Sequence, residues 1–167
     1  MYKNTEEFFS AAQESVELFN TWAEIFSPDA SADHICYKCN SGEEFETLRK
    51  MFENNSGFIY QSIISARRIA IIKFSKPITS PLGDIWYLEL SDQRTDGSQM
   101  SGFDHIEIYP RKESMDDLAR KLQEQGMTLE KTIRPHHTTY DSFLSEVFKV
   151  RLEPDALIGK IKREEMR

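Results

Sequence analysis

Cysteine is scarce: the chain has two in 167 residues, Cys36 and Cys39. Their C-x-x-C spacing falls in a run that reads as a strand, where residues three apart point to opposite faces. No second pair completes a four-cysteine site. Two reduced thiols are expected, rather than a zinc knuckle or a redox pair. Long apolar runs are also missing, since no segment approaches the ~20 apolar residues of a membrane span. The opening residues, MYKNTEEFFSAAQE, lack the apolar core of a secretory leader. A cytoplasmic protein with no membrane partner is the expectation. Basic charge is in deficit, with 21 Lys and Arg against 28 Asp and Glu and a formal net charge of −7. Nucleic-acid binding needs clustered cations to neutralise phosphates. The one basic cluster, Lys160, Lys162, Arg163 and Arg167, is interrupted by Glu164 and Glu165 and reads as a solvated helix end. No nucleic-acid partner is expected. A nucleophile elbow, a glycine-rich phosphate loop and an HExxH helix are absent too.

What is present is a repeat. Asp-His-Ile occurs at 33–35 and again at 104–106, with the histidines 71 residues apart. Each copy opens a predicted strand (DHICYKC; DHIEIYP) that leads into an amphipathic helix. Duplicated units of this kind can place two histidines at pseudo-symmetric positions in one cleft.

The 39% hydrophobic and 29% charged fractions are those of an ordinary globular protein, long enough to fold without staples. Apolar residues at helical spacing from Phe8 to Phe26 predict one or two N-terminal helices, ended by Ser27-Pro28-Asp29. They serve as packing surface or as a dimer contact. A strand over 33–39, a helix from Ser41 to about Asn54, and strands near 58–64, 66–75 and 84–90 follow, with Pro77 and Pro81-Leu82-Gly83 as breaks. Residues 91–102 have linker composition. The order then repeats: a strand over 103–109, a helix over 114–125, strands near 127–133, 136–143 and 146–153, and a terminal helix over roughly 155–165. This predicts an α+β domain of two tandem β-α-β-β-β modules, 30–92 and 102–154, flanked by a helical region at 1–29 and a C-terminal helix at 155–167, the modules forming one domain with a cupped mixed sheet.

Strand alternation separates two faces. Ile35, Tyr37 and Cys39, Ile106 and Ile108, and Phe148, Val150 and Leu152 make apolar faces suited to lie under helices. His34, Glu89, His105 and Glu153 fall on the opposite, polar faces. Each histidine opens a module and each glutamate closes one. Two imidazoles and two carboxylates suit a borderline divalent cation, although buried histidines are also commonly structural. Glu107 lies on the same face as His105 and is a candidate hydrogen-bond partner or general base. Tyr87 and Tyr109 can line the cavity or simply pack. Arg67 or Arg68 can pair with an anionic substrate or lie at the surface. His136 and His137 read as an exposed pair of which one can face inward.

DHICYK (33–38), WYLELS (86–91), GFDHIEIYP (102–110) and FKVRLEP (148–154), in this order, resemble the vicinal oxygen chelate superfamily, which includes glyoxalase I, extradiol dioxygenases and methylmalonyl-CoA epimerase. Within it the chain is most similar to YecM-type proteins over residues 30–160, the RRIAIIKFSKPI stretch contributing. The resemblance implies paired modules cupped around a divalent metal (Zn, Ni, Mn or Fe), with His34, Glu89, His105 and Glu153 as ligands. Glu153 stands where YecM-type proteins tend to carry histidine. The implied activity is Lewis-acid catalysis on a small oxygen-bearing substrate, by isomerase, lyase or dioxygenase chemistry, with Glu107 or Glu153 as catalytic base. A binding protein using the same cavity is the alternative. Both modules lie in one chain, so a monomer or a homodimer is compatible.

Overall fold

One helix forms where the aromatic stripe predicts one or two: α1 (Thr5–Phe26). Asn4 caps it, its side chain accepting from the Glu7 amide at 2.9 Å, and Glu6 and Glu7 sit at the positive end of the helix dipole. Ser27, at φ 41°, ends it. The structure is a computed structural model and describes residues 1–64, 66–134, 137–159 and 161, with the backbone alone at Phe58. The first module runs β1 (Ala30–Lys38), α2 (Gly42–Glu53), β2 (Ser56–Ile64), β3 (Arg67–Ile78) and β4 (Ile85–Ser91). The second repeats it with β5 (Gly102–Pro110), α3 (Met115–Glu124), β6 (Glu130–Ile133), β7 (Thr138–Phe143) and β8 (Lys149–Leu152). Ser41 and Ser114 cap α2 and α3 by accepting from Glu44 and Asp117 amides.

The strands form one eight-stranded mixed sheet in the order β2-β3-β4-β1-β5-β8-β7-β6. The order reads alike from both ends: β1 and β5 meet antiparallel at the centre, β4 runs parallel to β1, and β8 runs parallel to β5. The fold class is as the sequence predicts, a cupped α+β sheet made of two equivalent halves.

Helices cover one face. The main core takes Ile35, Tyr37 and Cys39 of the β1 edge, Leu88 and Leu90, Ile106 and Ile108, and Phe148, Val150 and Leu152, together with the buried faces of all three helices. The ring of Phe8 on α1 stands 5.4 Å from Tyr37, 5.3 Å from Phe52 and 5.1 Å from Phe103. Helix α1 therefore seals the convex side over both modules.

Three features depart from the sequence expectation. Strand β3 continues past Pro77, with the register interrupted between Lys73 and Ile78, as a residue without an N–H requires. The predicted linker is pinned: Gln99 is buried, donates to the carbonyls of Cys39 (2.7 Å) and Asp92 (2.9 Å), and accepts from Arg67. The concave face is not wholly polar. Ile69 and Ile71 form a second apolar cluster there with Ile158 and Ile161, so the C-terminal segment, helical at 157–159 and 161, folds into the cup. The remaining tail positions, including Lys160, Lys162, Arg163 and Arg167, lie outside the described residues. No described helix is long and apolar enough to cross a membrane.

Candidate metal centre

Both Asp-His pairs sit on breaks in the β1–β5 ladder. Ala32 pairs with Ile108 but Ile35 pairs with Ile106, so Asp33 and His34 together oppose one residue. Cys36 pairs with His105 while Tyr37 pairs with Phe103, which leaves Asp104 as the extra residue on the other strand. An inserted residue breaks strand alternation and re-aims side chains. The core confirms the switch: Ala30 and Ala32, then Ile35 and Tyr37, all face the helices. Asp33 and His34 thus both turn into the cup, and Asp104 and His105 do the same. This is the structural meaning of the repeat.

Each histidine is oriented by its own neighbour. His34 Nδ1 lies 2.9 Å from Asp33 Oδ1, and His105 Nδ1 lies 2.7 Å from Asp104 Oδ2. With Nδ1–H donated to a carboxylate, the Nε2 lone pair is left for another partner. His34 Nε2 faces Glu107 Oε2 at 3.4 Å and Glu89 Oε2 at 3.6 Å, and His105 Nε2 faces Glu107 Oε1 at 3.3 Å. His34, Glu89, His105 and Glu107 each offer a ligand atom, all within 4.8 Å of one another. Both imidazoles are buried, with His34 0% and His105 2% exposed.

The imidazoles and carboxylates of this group stabilise one another's charged forms. Burial opposes charge on His34, yet Glu107, Asp33 and Glu89 outweigh it and raise its pKa well above the ordinary imidazole value. Burial likewise opposes ionisation of Glu107, but His34, His105 and Arg151 hold it below the usual carboxylate range. His34 Nε2 is a buried nitrogen without a hydrogen-bond partner among the described residues, which is uncommon in a folded protein. Two imidazole nitrogens and two carboxylates fit a borderline divalent metal.

Three of the four sequence-predicted ligands therefore come together: His34, Glu89 and His105. The fourth member is Glu107 rather than Glu153. Glu153 lies past the end of β8, its amide bonded to the Ile108 carbonyl at 3.0 Å and its carboxylate 3.0 Å from His137 Nε2. The register explains its distance from the group. In the first half Cys36 pairs with Glu89; in the second Glu107 pairs with Arg151. The position equivalent to Glu89 is thus Arg151, two residues before Glu153. His137 is half-buried and paired rather than exposed, and His136 lies outside the described residues.

Arg68 is engaged by Asp92 (2.7 Å) and Glu46 and stacks on Phe45, and Arg67 is held by Gln99; neither pairs with the four-residue group. Tyr87 packs in the second apolar cluster. Tyr109 is central: its hydroxyl lies 3.1 Å from Asp33 Oδ1, 3.0 Å from His34 Nδ1 and 3.1 Å from Glu107 Oε2. It also accepts from the Leu157 amide at 3.4 Å, which ties the C-terminal segment to the centre. Cys36 is buried, with Sγ 3.6 Å from Glu89 Oε1. Burial first, then Glu89 and Asp104, push its thiol well up. Both cysteines are free. Cys36, Asp104 and His105 form a second possible donor group, but Asp104 is already engaged by Lys38 (2.6 Å), Lys149 (3.3 Å) and His105.

Unbroken alternation turns Asp33 and Asp104 away from the histidines, and the acid that precedes each histidine is the one signal of them in the sequence. Residue type at the module end points to Glu153, and only the strand register points to Arg151.

Among solved structures, a protein described as "Structural Genomics, Protein EC4020" superposes with a TM-score of 0.70 at 18% identity, covering 95% of this chain and 92% of that one. A hypothetical protein, BH1468, from Bacillus halodurans C-125 matches with a TM-score of 0.46 at 12% identity, over 76% of this chain and 96% of that one. An extradiol ring-cleaving dioxygenase from B. fuscum also gives 0.46 at 12% identity, over 77% of this chain and 34% of that one. The first establishes the fold; the other two are too distant to add to it. No curated protein matches the sequence. The model of the family described as YecM protein matches residues 2–154, and with that span nearly the whole two-module cup is accounted for: the chain belongs to the YecM family.

Proposed function

We propose that the chain is a divalent-metal-dependent protein of the vicinal oxygen chelate type, with His34, Glu89, His105 and Glu107 as its donor set. One observation carries this reading. The buried His34 Nε2 has no hydrogen-bond partner among the described residues and faces two carboxylates across 3.4 and 3.6 Å, a spacing that would suit a shared cation. When bound there, Zn, Ni, Mn or Fe would act as a Lewis acid on the oxygens of a small substrate.

The protein's own groups divide the remaining work. Asp33 and Asp104 fix the imidazole tautomers. Glu107 reaches His34 and His105 through different oxygens, so it can remain a ligand or release one oxygen as a base. Tyr109, 3.1 Å from Glu107, is placed to exchange a proton with it. Isomerase, lyase and dioxygenase chemistry all fit such a site. Both halves of the donor set come from one chain, so a monomer suffices.

A non-catalytic binding protein is the second reading, favoured by the C-terminal segment packed against Ile69 and Ile71 inside the cup. The discriminating experiment begins with protein purified without an affinity tag, stripped of metal and titrated with Zn, Ni, Mn and Fe(II). Binding of about one equivalent, lost in folded His34→Ala and His105→Ala variants, supports the centre. Absence of binding for all four ions sinks it. Turnover of dicarbonyl adducts, catechols or acyl-CoA esters by loaded protein then separates enzyme from binder.

A further inference from the structure

The two halves of the sheet are equivalent in register but not in charge. Where the first half carries Glu89, the second carries Arg151. Asp141 Oδ1 and Oδ2 hold its Nε and Nη2 at 2.8 and 2.9 Å. A guanidinium has five N–H donors, so this side-on pair leaves the end formed by Nη1 and the outer N–H of Nη2. No described residue hydrogen-bonds Nη1, and the side chain keeps 14% exposure. Across the β5–β8 ladder its neighbour is Glu107.

This wall gathers cations beside the acids of the centre. Lys38 and Lys149 interact there with Asp104, while Arg151 is paired with Asp141 on one edge and faces the charge of Glu107 across the ladder. A partly buried guanidinium fixed on one edge, with its other end open, is the arrangement that recognises a planar oxyanion in two hydrogen bonds. Arg151 also has a structural role, since it neutralises Asp141. That role explains one edge of the guanidinium and leaves the other open.

The geometry points to Arg151 as the specificity-determining residue of the cup, its free end binding the carboxylate of a small anionic ligand beside the metal centre. This rests on the metal reading above and names the class of molecule the centre takes: small carboxylates rather than neutral diols. The guanidinium stands where a symmetric site would carry another acid, so the centre has an anionic half and a cationic flank.

The test compares oxalate with catechol, an oxygen chelator that has no carboxylate, by calorimetric titration of Mn(II)-loaded wild type, Arg151→Lys and Arg151→Gln. Mn(II) titration of each variant is run first. With Mn(II) held at saturation for each variant, the expected result is unchanged catechol affinity, with oxalate weakened about tenfold or more in Arg151→Gln and less in Arg151→Lys. Equal oxalate affinity in all three proteins, or parallel loss of oxalate and catechol, overturns the proposal. If Arg151→Gln does not fold, the double variant Asp141→Asn/Arg151→Gln, which removes both members of the ion pair, carries the same comparison. If wild type binds no metal, the metal reading fails by itself. Oxalate titration of the metal-free protein then decides the anion site, which stands only if binding depends on Arg151.

Discussion

His34 Nδ1 lies 2.9 Å from a carboxylate oxygen of Asp33, the residue immediately before it, which an unbroken strand would turn to the other face. The bulge at this point makes the contact, and the contact orients the nitrogen that faces Glu89 and Glu107. Asp33→Ala is expected to lower metal affinity about tenfold to a hundredfold while the protein stays folded. Competition against a chelator reads it directly. Equal affinity in variant and wild type would show that packing alone orients the ring.

Glu107 and Glu153 separate cleanly. Glu107→Gln should weaken metal binding by about tenfold or more, since disturbing even the groups behind a ligand has that effect. Glu153→Gln, placed beside His137 instead, should leave it unchanged. Metal titration of the two variants side by side is the measurement. The opposite ranking would return the ligand role to the end of β8.

Asp141 gives a pH dependence with a defined sign. Burial would raise its pKa, but hydrogen bonds from Arg151 and the charge of Lys149 bring it below the usual value. A carboxyl depressed in the folded state contributes stability fully above the unfolded value of about 3.9, and that contribution is lost as pH falls through the folded value. Asp141→Asn is expected to cost about 2–4 kcal/mol at pH 7. The gap to wild type should narrow as pH falls below about 4. Urea unfolding across that range checks it, and a gap that stays constant or widens contradicts the assignment.

Helix α1 is tested by contrast along its length. Phe8 is fully buried and Ile25 is 70% exposed. Phe8→Ala should cost about 3–5 kcal/mol, and Ile25→Ala should stay within about 0.5 kcal/mol. Similar losses at both positions in urea unfolding would mean that α1 buries a different face.

The two modules were legible because alternation and helical spacing depend on local composition. Ile35, Ile106, Phe148 and Val150 went to the core face as alternation requires, and His34, Glu89 and His105 to the other. The partners of the histidines were less legible. A bulge is a property of the pair of strands, and neither strand alone announces it, so Asp33 and Asp104 escaped. The β5–β8 register places Arg151 opposite Glu107, while residue type alone pointed to Glu153 two positions on. The C-terminal segment escaped for another reason. Ile158 and Ile161 lie within the predicted terminal helix, and only the apolar patch at Ile69 and Ile71 shows where that helix packs.

The central β1–β5 seam has a consequence for how such a protein can arise. The first half paired with a copy of itself about the same axis would gather two copies each of His34, Cys36 and Glu89. Sulfur would then border the centre and no arginine would. The second half doubled would bring two guanidiniums alongside two copies each of His105 and Glu107. Fusing two unlike halves yields what neither symmetric ancestor has: one nitrogen–oxygen donor set with a thiol on one flank and a single fixed cation on the other. The differences between the two halves, more than their shared topology, therefore give the site its uneven charge.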